Sequence, residues 1–169
     1  MNYSKIYYTD VINGDGLRVS LFVSGCTIHC KGCFNEDAWD FNSGRVFTDF
    51  EKDLILDQVF NTKIYYSGIS LLGGEPLDNI IGLLPLMEEF RLRNLTDNKN
   101  VWIWTGYTLE QIEENPNMKN FLLKYCDKAV IGPFIEEQKD LNLKFRGSKN
   151  QKVYTIDKEN KTFLADNNY

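Results

Sequence analysis

The chain has 169 residues, with 24 acidic against 19 basic side chains and a formal charge of −5. That balance argues against a general nucleic-acid grip built on phosphate neutralisation. A hydrophobic fraction of 43% beside 25% charged residues excludes wholesale disorder and predicts a packed core. At roughly 100 to 200 residues per domain, the length predicts a single domain over residues 1–169.

Residues 1–10 alternate polar and aromatic side chains with no basic start and apolar stretch behind it. No apolar run of about 18 residues follows anywhere. The expectation is a soluble, cytoplasmic protein with no membrane segment. Cys26, Cys30 and Cys33 fall close together while Cys126 stands alone. This uneven usage fits metal binding in a reducing compartment better than a disulfide framework.

In chain order, the first buried strand is predicted at 18–23. Thr48 with Glu51 then forms a reciprocal capping pattern, and Leu54, Ile55 and Val59 supply an apolar helix face. A second strand is expected at 69–72, followed by a helix over 79–93 that Pro85 either kinks or opens as its first turn. A third strand covers 101–104, where Trp102 and Trp104 alternate with Val101 and Ile103, so the two pairs face opposite sides of the sheet. Thr108 with Gln111 caps the next helix, and Pro116 separates it from another at 118–125. Strands at 129–131 and 153–156 complete the series.

Taking Leu21, Leu71, Ile103, Val130 and Tyr154 as strand centres, the separations are 50, 32, 27 and 24 residues. A strand, crossover helix and next strand need roughly 30. The pattern predicts an α/β fold with a mainly parallel sheet. A complete eight-stranded barrel needs about 250 residues, so a short, open, partial (β/α) barrel is expected, with a doubly wound sheet as the alternative. The first separation is the longest, and its excess contains the cysteine cluster.

That cluster, Cys26-Thr27-Ile28-His29-Cys30-Lys31-Gly32-Cys33, immediately follows the first strand. The carboxyl ends of parallel strands are where such folds place ligands. Three thiolates on one loop can hold three irons of a 4Fe-4S cube and leave the fourth iron open. A structural zinc completed by His29 or Cys126, and ordinary free thiols, are the competing readings. The second motif, Gly73-Gly74-Glu75-Pro76, follows the second strand and lets backbone approach a ligand closely. Thr105 and Gly106 end the third strand on the same side and are weaker candidates. His29 is expected to serve its loop, and Cys126 to pack as a small apolar residue.

Together these residues resemble the radical S-adenosylmethionine superfamily, whose three-cysteine spacing matches Cys26, Cys30 and Cys33. More narrowly, the chain is similar to the glycyl radical enzyme activases that serve anaerobic ribonucleoside-triphosphate reductase. The narrower likeness includes Asn13-Gly14 with Gly16 and Arg18, then Asn35 and Trp39, then Trp104-Thr105-Gly106-Tyr107. It ends with Arg146-Gly147-Ser148 and Asn150-Gln151. Residues from about 152 to 169 carry little of it and form a divergent C-terminal tail.

The resemblance implies that Cys26, Cys30 and Cys33 ligate a 4Fe-4S cluster. It places S-adenosylmethionine against the backbone of Gly73 and Gly74, with Glu75 orienting the methionine end and Gly32, Cys33 and Phe34 along the adenine. No catalytic side chain is implied beyond cluster and cofactor. The implied reaction is reductive cleavage of S-adenosylmethionine, followed by hydrogen abstraction from a glycine of the reductase to leave a glycyl radical. Implied partners are the reductase large subunit and a flavodoxin-like or other low-potential electron donor, in a homodimer or a heterotetramer with the reductase. Alternatives are a pyruvate formate-lyase-type activase, a deazapurine synthase-like enzyme, and a noncatalytic metal-binding or electron-transfer module.

Overall fold

The computed structural model describes residues 1–169. One open eight-stranded sheet runs in the order β3-β1-β2-β4-β5-β6-β7-β8. Its centre consists of β2 (Arg18–Val23), β4 (Gly68–Gly73), β5 (Asn100–Thr105) and β6 (Lys128–Ile131), which pair in parallel. Antiparallel strands flank this centre: β1 (Asn2–Asp10) and β3 (Arg45–Val46) on one side, β7 (Lys152–Asp157) and β8 (Thr162–Ala165) on the other. No helix is long and apolar enough to cross a membrane.

Helices α1 (Asp49–Val59), α2 (Ile80–Arg93), α3 (Leu109–Glu114) and α4 (Pro116–Tyr125) make the crossovers between the parallel strands. Capping boxes at Thr48/Glu51 and Thr108/Gln111 start α1 and α3, as their side chains predict. Asn115 caps α4 and Pro116 opens it. The α1 face is corrected by one residue: Ile55, Leu56 and Val59 are buried, while Leu54 is exposed. Pro85 lies inside α2 rather than in its first turn, because Pro76 already opens a preceding 3-10 turn (Pro76–Asn79) and Ile80 begins the helix.

All four helices pack on one face of the sheet. The main core joins Ile55, Leu83, Ile112 and Leu122 to Val19, Leu21, Ile69, Leu71, Val101, Ile103 and Ala129. These strand residues alternate along their strands and so share a face. A doubly wound arrangement needs helices on both faces, so that alternative is excluded. On the opposite face Trp102 packs with Val130 and Val153, and Trp104, Phe145 and Tyr169 close over them. The two residue pairs of β5 thus separate as their alternation predicts.

The strand centred on Tyr154 is antiparallel to β6, which corrects its place in the parallel series. Its 24-residue spacing imitates a crossover, but the only helical element in residues 132–151 is the 3-10 turn Glu136–Gln138. Without a helix to carry the chain back along the sheet, it returns in the opposite direction.

Candidate functional site

Three loops leave the carboxyl ends of β2, β4 and β5 on one side of the sheet. The first carries the cysteines, the second Gly74 and Glu75, and the third Gly106 and Tyr107. A cavity of about 130 Å³ lies among them, lined by Cys26, Cys30, Cys33, Phe34, Gly73, Gly74, Glu75 and Gly106. A larger groove of about 860 Å³ between α2 and α4 contains no cysteine. Chemistry places the candidate site in the smaller space.

The cysteine loop is tied down by its backbone. The Cys26 N–H donates to the Trp39 carbonyl at 3.1 Å and the Gly25 N–H to that of Ala38 at 2.8 Å. A turn brings the Cys33 N–H to the Cys30 carbonyl at 3.1 Å, and the Asn35 N–H donates to Cys33 Sγ at 3.4 Å. His29 adopts a left-handed φ of 52° and stacks on Trp39 with ring centroids 4.5 Å apart. Burial pushes the Cys26 and Cys30 thiols up, partly offset by nearby backbone amides. A metal that binds them as thiolates must therefore displace their protons.

The second loop has no room for a side chain at Gly73 or Gly74. A Cβ on Gly74 would stand 2.5 Å from the Gly25 carbonyl oxygen, and one on Gly73 2.7 Å from the Val23 backbone. The Gly74 N–H donates to the Val23 carbonyl and the Glu75 N–H to that of Gly25, each at 2.8 Å, while no internal donor reaches the Gly74 carbonyl. Such a bend presents acceptors, the chemistry that receives an ammonium group.

Glu75 is 1% exposed. Its carboxylate accepts from the Leu77 N–H at 2.9 Å and the Gly106 N–H at 2.8 Å, yet burial outweighs these donors and pushes its pKa up to about 8. Phe34 is 88% exposed at the mouth of the cavity, so it has no place in the core. Gly32 lies in the loop outside the cavity lining, with a left-handed φ of 70° and Glu136 against it. Lys31 pairs with Glu136 and Glu137, but these exposed contacts contribute little. Cys126 is fully buried in the main core, away from this cavity.

Sequence reasoning missed Asp78 and Phe134. Asp78 binds the cysteine loop through Thr27, and its only signal is a carboxylate two residues beyond Pro76. Phe134 and Gln151 line the cavity from the β6–β7 connection, which no local pattern assigns to the site.

No three His, Cys, Asp or Glu side chains gather as a site for a single ion. The three thiols instead border one cavity, an all-sulfur donor set of the kind that iron-sulfur clusters take. Residues 12–154 match a family described as a 4Fe-4S single cluster domain. The chain is 42% identical over 156 residues to the anaerobic ribonucleoside-triphosphate reductase-activating protein of Haemophilus influenzae, covering 91% of this chain and 97% of that one.

The chain belongs to this activating-protein family. The member of the same name in Escherichia coli K12 is 39% identical, over 92% of this chain and 99% of its own. The member from Enterobacteria phage T4 is 35% identical, over 92% and 94% respectively. The family match spans β2, β4, β5 and β6, from which the candidate site is built.

Proposed function

We propose that this chain activates an anaerobic ribonucleoside-triphosphate reductase by installing a glycyl radical on it. The observation that carries this reading is the convergence of Cys26, Cys30 and Cys33 with the Gly73–Gly74 bend around one cavity. Cys26, Cys30 and Cys33 hold a 4Fe-4S cluster, and residues 1–169 act as one radical S-adenosylmethionine domain with its sheet as a partial barrel. When bound, the cluster and S-adenosylmethionine supply the electron transfer and the radical that takes hydrogen from the reductase glycine.

The chain's own residues bind and orient. Three cysteines leave one iron of a cube without a protein ligand. The Gly74 carbonyl receives the methionine ammonium, and Glu75 fixes that bend by gripping the amides of Leu77 and Gly106. Phe34 offers an apolar face to the adenine, beside Gly32 and Cys33. No side chain moves a proton in this scheme, so the presence of a single histidine is no obstacle.

The test is anaerobic incubation of the reconstituted protein with reductant, S-adenosylmethionine and the reductase. A glycyl radical signal on the reductase by electron paramagnetic resonance is expected. A loaded protein that cleaves the cofactor and leaves the reductase unchanged defeats the assignment.

A further inference from the structure

Asp78 joins three loops at the candidate site. Its Oδ2 accepts from the Thr27 N–H and the Thr27 hydroxyl, both at 2.8 Å, and its Oδ1 accepts from the Tyr107 hydroxyl at 2.6 Å. Thr27 directly follows Cys26, Tyr107 follows the end of β5, and Asp78 itself lies just beyond the Gly73–Gly74 bend.

All of these donors are uncharged. None of the chain's ion pairs involves Asp78 or Glu75. Asp78 acts next to the first cysteine, because the Thr27 that it grips is the chain neighbour of Cys26. An uncompensated charge in a partly desolvated site acts over several ångströms. Because reduction adds negative charge, a fixed carboxylate nearby opposes it, and net charge and hydrogen bonding are what set cluster potentials.

We propose that Asp78 is a positioning residue that both anchors the cysteine loop and lowers the reduction potential of the bound cluster through its unpaired charge. This rests on the reading of Cys26, Cys30 and Cys33 as cluster ligands. The charge and the anchor separate in two variants. Asp78→Asn removes the charge and keeps an acceptor for Thr27, so the midpoint potential shifts upward. Tyr107→Phe removes a donor that partly neutralises the carboxylate, so the potential shifts downward. An anchor with no electrostatic role loosens in both variants and gives no such opposition of sign.

The experiment is a redox titration of the full-length, anaerobically reconstituted protein, following the reduced cluster by electron paramagnetic resonance, with iron and sulfide per chain measured alongside. A rise in the first variant and a fall in the second are expected, and any other pair of shifts at full loading overturns the inference. If Asp78→Asn fails to load, Tyr107→Phe decides alone: a lowered potential supports the inference, and an unchanged or raised one overturns it. A wild-type chain that takes up no iron and sulfide overturns the cluster reading itself, which is distinguishable from a loaded wild type whose variants do not shift.

Discussion

Glu75 Oε2 accepts the Gly106 amide at 2.8 Å, so one buried carboxylate ties the loop after β4 to the loop after β5. The two loops hold their spacing around the cavity through this bridge.

The same burial makes stability depend on pH. The Glu75 pKa is pushed up to about 8 in the folded chain, chiefly by desolvation, against roughly 4.3 when unfolded. Below the unfolded value both states hold the proton and the contribution is complete. As pH rises toward 8, the unfolded chain releases its proton while the folded chain keeps it, so stability falls by an amount on the order of several kcal/mol. Glu75→Gln cannot ionise, so its stability declines less between pH 5 and 8. It starts lower by roughly 1–3 kcal/mol, because an amide NH₂ then faces a backbone donor. Urea unfolding of the cluster-free protein across that range checks this, and parallel slopes for the two proteins would refute it.

The four cysteines divide by environment. Alanine at Cys26, Cys30 or Cys33 is expected to reduce bound iron and sulfide to background while circular dichroism shows the fold retained, because these thiols line a cavity at loop level. Cys126→Ser should do the reverse. It keeps the iron but costs roughly 1–3 kcal/mol, since a hydroxyl replaces a thiol in the fully buried core. Iron analysis and thermal melting of all four variants separate the two classes, and normal iron content in each loop variant would remove the ligand assignment.

Gly74→Ala places a methyl group 2.5 Å from the Gly25 carbonyl oxygen and 2.9 Å from that of Ala38. Both neighbours are backbone, so neither can swing away. Overpacking of this kind costs roughly 1–3 kcal/mol, and the strain falls on the residue preceding Cys26. A lower melting temperature together with weakened S-adenosylmethionine binding by calorimetry is the expected result. Unchanged binding would show that the bend does not contact the cofactor.

Much of this arrangement is legible in the sequence where the signal is local. Arg18–Val23 is rich in buried apolar residues, and its predicted bounds match the strand. Thr48/Glu51 and Thr108/Gln111 place two helix starts because a capping box is a four-residue motif. The cysteine triplet and the Gly-Gly bend likewise follow from short spacings. What escaped depends on distant partners. Strand β1 mixes exposed and buried aromatics among its polar residues, and it forms by pairing with β2. Asp78 meets Thr27 from 51 positions away. Arg18 is buried without a carboxylate partner because Ser70 and Asn100, 52 and 82 positions on, accept its guanidinium protons. Neither relationship leaves a pattern in neighbouring residues.

The C-terminal segment covers the bare face of the sheet. The Tyr169 ring lies 5.6 Å from that of Trp102 and 5.2 Å from that of Phe145, with Lys128 Nζ 4.5 Å above it. Arg146 donates to the Tyr169 main-chain oxygen at 2.8 Å, and Lys128 pairs with Asp166 at 2.7 Å. Aromatic pairs of this kind contribute about 0.5–1.5 kcal/mol beyond the area they bury. Tyr169→Ala is therefore expected to cost roughly 1–3 kcal/mol and to let water reach Trp102, shifting its fluorescence to longer wavelength. Because the cysteine loop lies at the strands' carboxyl ends and Tyr169 lies outside the cavity lining, iron content should be unaffected. Urea unfolding followed by tryptophan emission measures both effects at once. A variant with unchanged stability and emission would mean that the tail does not hold this position in solution.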